Sequence, residues 1–171
     1  MQITFPIITS PEAERSDFLE YFQALADSDF QEMVAISPFV DVFIIENLVR
    51  RCVFNSRRLT IVTRYGGHSI TNRQRQYINE AINELREIER TKDPSIRNRI
   101  VWYENRRVHA KLVIVDWRRV LFGSQNFTQY GGLTGNYELG ALIENGEEFE
   151  ELRTFVSQIT AGGTARCLYP D

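Results

Sequence analysis

Hydrophobic positions along the chain switch between a period of two and a period near 3.6. Residues 2–9, QITFPIIT, carry apolar side chains at alternate positions, the pattern of an edge strand. Ser10 and Pro11 form an N-cap and first-position pair with acids in the turn that follows. They predict a helix to about Ala26 with Phe18, Leu19, Phe22 and Leu25 on its apolar face. EMVAISPFV (32–40) reads as a short buried strand closed by Ser-Pro. DVFIIENLVRRC (41–52) reads as a helix capped by Asp41, with arginines suited to its C-terminal dipole. RRLTIVTR (57–64) is the next strand, YGGHSI (65–70) a glycine loop, and about Thr71 to Arg90 a long amphipathic helix.

KDPSIRN (92–98) breaks the pattern at Pro94. Beyond it the chain is a meander of strands, RIVWYE (99–104), VHAKLVIVD (108–116), VLFGS (120–124) and YELGALIE (137–144), before a closing helix from about Glu147 to Ile159. The turns are NRR (105–107), WRR (117–119) and a glycine-rich excursion, QYGGLTGN (129–136). Helices alternating with strands, then a meander, predict an α/β fold in which a mixed β-sheet is flanked by helices on both faces. With 171 residues and no internal repeat, the expectation is one domain over 1–171.

Composition refines this picture. At 43% hydrophobic and 25% charged residues the chain is an ordinary globular protein. A net charge of -3 excludes a protein that coats nucleic acid through bulk charge, so any such contact is local. Lysine occurs only at Lys92 and Lys111, and the other cations are arginines, which fork onto phosphates. Cys52 and Cys167 match no disulfide framework or metal-ligand spacing and read as free thiols. No apolar run reaches the ~20 residues of a membrane span, and the start has no signal-peptide character. The expectation is a cytoplasmic protein without membrane contact.

The strand VHAKLVIVD raises the question of chemistry. Side chains alternate across a strand, so His109 and Lys111 share a face roughly 6.6 Å apart, a span that brackets one phosphate. Val113 and Val115 continue that face while Ala110, Leu112 and Ile114 fill the other, the mark of a central strand. A buried histidine and lysine with no ligand would be costly there. Asp116, Gly123, Ser124 and Asn126 complete the spacing H-x-K-x4-D-x6-G-S-x-N. Six such residues coincide by chance with a probability on the order of one in a hundred million per starting position.

This pattern resembles the HKD signature of the phospholipase D superfamily. The resemblance extends through GSQNFT to NYELGALIEN, which is similar to the Asn-Ser-Glu region of small bacterial nucleases of that superfamily and covers about residues 98 to 145. It implies the phospholipase D-like α/β/α sandwich and a phosphodiesterase that needs no metal or other cofactor. His109 would attack phosphorus and form a phosphohistidine, while Lys111, Ser124 and Asn126 stabilise the developing charge. Glu138 would orient the imidazole, and Asp116 would order the loop after the strand. The glycine excursion before Glu138 is about one residue longer than that pattern expects. His68 follows two glycines but has Ile70 where a second motif would have lysine, so it reads as a loop histidine.

A displacement at phosphorus needs a nucleophile and an opposing general acid, and this chain has one motif. Small nucleases of the superfamily, and a restriction enzyme with a similar catalytic domain, pair two subunits about a two-fold axis. The resemblance therefore implies a homodimer with a shared active site. Arg97, Arg99, Arg106, Arg107, Arg118 and Arg119, with Arg57, Arg58 and Arg64 further off and Trp102, Tyr103 and Trp117 interleaved, suggest a phosphate-tracking surface with stacking platforms. Arg106, Arg107, Arg118 and Trp117 are the candidate substrate contacts. The leading expectation is a nuclease, an endonuclease acting on DNA ahead of RNA, with partner proteins supplying target specificity in a restriction or anti-phage system. The alternatives are a phosphodiesterase for cardiolipin-type phospholipids and a non-catalytic nucleic-acid-binding subunit on the same fold.

Overall fold

The protein is described by a computed structural model covering residues 1–10, 17–41, 45–67, 70–128 and 136–170. Eight strands form one mixed sheet: β1 (Gln2–Thr9), β2 (Glu32–Ile36), β3 (Arg58–Thr63), β4 (Ile100–Asn105), β5 (Leu112–Val115), β6 (Arg119–Gly123), β7 (Glu138–Glu144) and β8 (Ala165–Tyr169). Their order is β1-β7-β6-β5-β2-β3-β4-β8. The pairs β2–β3 and β3–β4 are parallel, and every other pair is antiparallel.

One face of the sheet carries α1 (Asp17–Asp27), α2 (Arg50–Phe54) and α3 (Asn72–Thr91). Its core joins Phe18, Phe22 and Leu25 of α1 and Ile78 and Leu85 of α3 to Met33, Ile61, Trp102, Val113, Val115 and Leu121 of the sheet. The other face is covered by α4 (Glu150–Ala161), where Val156, Leu152, Phe155 and Ile159 pack on Val34, Ile36, Val62, Ile114 and Val120. This is the sandwich expected from the alternation of periods. Burying such side chains contributes about 1.5–3 kcal/mol each, ample for a sheet sheathed on both sides.

Local chemistry explains the boundaries. Helix α3 begins at a capping box in which Thr71 Oγ1 accepts the Gln74 N–H (3.2 Å) and Gln74 Oε1 accepts the Thr71 N–H (3.0 Å). The break at KDPSIRN is a 3-10 turn, Pro94–Asn98, capped by Asp93. The helix expected over 41–52 is a π-helical turn, Ile45–Val49, that runs into α2. Strand β8 escaped the sequence reading because ARCLY does not alternate cleanly and has only Tyr169 fully buried as it pairs with β4. In β1 a bulge between Thr4 and Ile7 reverses the alternation. Ile7 therefore reaches the core while Ile3, Phe5 and Ile8 stay exposed.

Candidate active site

Strand direction gathers the candidate residues. Because β6 runs antiparallel to both β5 and β7, the start of β5, the end of β6 and the start of β7 lie at one end of the sheet. His109 and Lys111 precede β5, Ser124 and Asn126 follow β6, and Glu138 opens β7. The Gly123 N–H donates to the Lys111 carbonyl (3.2 Å), and the Ser124 N–H to the Leu139 carbonyl (3.0 Å), which ties the three segments together.

Two side-chain pairs occupy this end. Lys111 Nζ lies 3.4 Å from His109 Nδ1, so ammonium and imidazole share a face as the alternation requires. Ser124 Oγ donates a short hydrogen bond to Glu138 Oε2 and accepts the Leu139 N–H (3.1 Å). The expectation that histidine and lysine are buried is corrected: His109 is exposed and Lys111 half-buried. Paired β5 begins only at Leu112, and the segment before it has left the ladder, with the Val108 N–H on the Asn105 carbonyl and the Val108 carbonyl taken by Arg64 Nε (2.7 Å). An accessible imidazole suits a nucleophile better than a buried one.

The loop after β6 is held from below. Ser37 Oγ accepts the Phe127 N–H (3.1 Å), and buried Gln125 donates from Nε2 to Thr9 Oγ1 (3.3 Å). A Cβ on residue 123 would meet Gln125 Oε1 at 2.2 Å and the Leu139 carbonyl at 2.9 Å, which explains the glycine in G-S-x-N. Among the described residues buried Asn126 Oδ1 has no hydrogen-bond partner, an unmet acceptor beside the site. Sequence reasoning missed Ser37, Gln125 and Thr9, whose only signal is polarity inside otherwise apolar segments.

Other expected residues lie elsewhere. Asp116 follows the opposite end of β5, five residues from Lys111 and so about 16 Å along the strand. Its Oδ1 accepts the N–H groups of Gln31 and Glu32 (2.9 Å each), anchoring the turn to the start of β2. Asp116 and Trp117 have positive φ (50° and 60°), a pair of values that Asn-Gly usually supplies, and the Arg118 N–H closes the turn on the Val115 carbonyl (3.1 Å). Trp117 is buried under Arg153, with Nε1 donating to Glu32 Oε2 (3.1 Å), so neither it nor the exposed Arg118 beside it borders the His109 cluster. Trp102 is fully buried and offers no stacking platform.

Arg106 and Arg107, in the turn just before His109, are both exposed. Arg106 is paired with buried Glu104 (3.1 Å), which also holds Arg166 (2.8 Å) and the Gly66 N–H (2.8 Å). His68 and the excursion over 129–135 lie outside the described residues. Among those described, no group of three or more His, Cys, Asp or Glu side chains is placed to hold a metal ion. Among the described residues neither Cys52 nor Cys167 forms a disulfide, and burial pushes the Cys52 thiol up to about 12. No described helix is long and apolar enough to cross a membrane.

A mixed sheet between helices, with His-x-Lys and Gly-Ser-x-Asn meeting at the ends of neighbouring strands, defines a phospholipase D-like phosphodiesterase fold. Residues 22–160 match the family model described as the cardiolipin synthase, PLD-like domain, and the chain belongs to this family of the phospholipase D superfamily. Its fold is similar to that of Nuc from Salmonella typhimurium, a phospholipase D family member (19% identity, TM-score 0.67, 97% of this chain and 98% of that one). It is likewise similar to NucT from Helicobacter pylori (11%, 0.63, 94% and 97%). Phosphatidylserine synthase from Haemophilus influenzae Rd KW20 shares the fold at 14% identity and TM-score 0.71, with 97% of this chain spanning 40% of that one. A search of curated protein sequences finds no match.

Proposed function

We propose that the protein is a metal-independent nuclease that hydrolyses DNA or RNA phosphodiester bonds as a homodimer with a shared active site. The observation that carries this reading is the convergence of His109–Lys111 with Ser124–Glu138 at one end of three adjacent strands. One imidazole attacks phosphorus, forming a P–N bond as the P–O bond to the leaving group breaks, and the imidazole of the second subunit protonates the departing oxygen. Water then attacks the phosphohistidine, its proton passing to that second imidazole, and the first histidine is released. Lys111 and the Asn126 amide donate to the non-bridging oxygens, and Ser124 joins them when its hydroxyl proton turns from Glu138 to the substrate. Glu138 and Ser124 form one hydrogen-bonded unit that keeps the anion pocket in register.

Pairing of two chains is supported by the sheet surface next to the site. Ile3 and Ile8 of β1, Leu139 of β7 and Phe122 of β6 are 55%, 52%, 49% and 40% exposed, far more than core strands leave open. By register Ile8 stands beside Leu139 on the α4 face of the sheet, opposite the face of Lys111 and Glu138, and the hydrogen bonds between Leu139 and Ser124 bring the end of this strip to the end of the sheet where the site lies. A second copy packed there would bring two HKD motifs together. The same strip keeps a phospholipid alternative in view, since an acyl chain could lie on it, and the lipid-directed names of the matched family and of the synthase favour that reading.

The test is hydrolysis of plasmid DNA, RNA and bis(p-nitrophenyl) phosphate in excess EDTA, beside headgroup release from cardiolipin vesicles. Chelator-resistant cleavage of nucleic acid that disappears in His109→Ala supports the nuclease. Release from lipid alone points to the alternative, and binding without turnover to a non-catalytic subunit. In this reading the catalytic elements themselves carry little sequence specificity, and partner proteins supply targeting.

A further inference from the structure

Several of the arginines that the sequence offered as phosphate contacts are already paired with carboxylates. Arg106 and Arg166 share Glu104, Arg99 pairs with Asp93, Arg57 with Asp29, Arg58 with Glu32, and Arg119 faces Asp116. Arg64 is different. It is half-buried just past the end of β3, and among the described residues no carboxylate pairs with it. Its Nε donates to the Val108 carbonyl at 2.7 Å, one residue before His109, and its own N–H donates to the Pro38 carbonyl (3.3 Å). The backbone and the inner nitrogen are both fixed, which leaves the two terminal nitrogens as the outward edge of a fork held beside the candidate nucleophile.

A half-buried guanidinium without a counter-ion carries a desolvation cost that an arriving anion relieves. Arg64 lies on the β3 side of β5, whereas Ser124 and Glu138 lie on the β6 and β7 side, so an anion reached by Arg64 is displaced from the one held by Lys111 and Ser124. We propose that Arg64 binds the phosphate adjacent to the scissile one in a nucleic-acid strand. The proposal rests on the nuclease reading and makes the substrate a polyanion rather than an isolated phosphodiester. Among the described residues Arg107 likewise pairs with no carboxylate, but it is exposed, and the hydrogen bond that holds it runs from its backbone N–H to Asn105 Oδ1 and not from its guanidinium.

The test compares Arg64→Gln and Arg64→Lys with the unaltered protein. Binding of a labelled single strand is followed in the His109→Ala background between about 50 and 200 mM salt. Arg64→Gln is expected to weaken the Kd about tenfold and to flatten the slope of log affinity against log salt by about 0.7. In hydrolysis, Arg64→Gln should raise KM for the strand about tenfold with kcat little changed, and leave KM for bis(p-nitrophenyl) phosphate as it was. Arg64→Lys should retain the salt slope with an intermediate Kd.

An unchanged slope and Kd would overturn the proposal, as would an equal loss of kcat on both substrates, which would mean that Arg64 acts through the Val108 carbonyl on His109. Circular dichroism melts report folding, and if Arg64→Gln does not fold, Arg64→Lys decides: an intermediate Kd supports the proposal and an unaltered one overturns it. If no version of the protein binds a strand, the nuclease reading falls and the proposal with it. Normal binding that is indifferent to Arg64 removes the proposal alone.

Discussion

At the scale of single residues, the candidate site separates groups proposed to do chemistry from groups that hold the fold around them. His109→Ala should lower kcat by roughly 10³-fold or more while leaving the melting temperature within a degree or so, because the imidazole is exposed and packs on little. Asp116 should behave in the opposite way. Its carboxylate accepts two backbone N–H groups at the far end of β5, so Asp116→Ala should cost about 2 kcal/mol of stability with kcat retained. Asp116→Asn keeps an acceptor and tolerates positive φ, and should recover most of that loss in a denaturant titration. The motif spacing alone could not separate these two roles, because it records distance along the chain and not which end of a strand a residue occupies.

At the scale of elements, the close approach of β6 and β7 is the demanding feature. Gly123→Ala places a methyl where Gln125 Oε1 and the Leu139 carbonyl already stand, and should destabilise the protein by roughly 1–3 kcal/mol and disturb Ser124, read as a lowered melting temperature with reduced kcat. The 3-10 turn before β4 offers a pH test. The Ser95 hydroxyl (2.6 Å) and N–H (3.0 Å), with Arg99, hold the Asp93 carboxyl below its ordinary value of 3.8. A carboxyl lowered in the folded state stabilises above that value and loses its contribution as pH falls through the folded one. Melting curves of Asp93→Asn should therefore fall below those of the unaltered protein at neutral pH and converge with them in acid. Strand β8 and the bulge in β1 were not legible in the sequence, since an edge strand needs little alternation and a bulge is a property of the pair rather than of either strand.

At the scale of the whole molecule, the exposed strip on β1, β7 and β6 decides whether one motif is enough. Leu139→Lys places a charge at its centre and should convert a dimer into a monomer in sedimentation, with activity falling alongside. Mixed dimers of His109→Ala and unaltered chains should lack the activity that two intact histidines provide, whereas a monomeric enzyme would retain half in such a mixture.

The sequence by itself determined the alternation of strands and helices and the layered class of fold, and it nominated His109, Lys111, Ser124 and Asn126 as the candidate set, because periodicity and motif spacing are local properties of the chain. Only the tertiary structure decided that Asp116, Trp117 and Arg118 stand away from that set, that Arg106 is neutralised by Glu104 while Arg64 is not, and that Ile3, Phe5 and Ile8 face outward. Strand direction, register and ion pairing join residues far apart in the chain, and no local pattern of apolar and polar positions encodes which of them will meet.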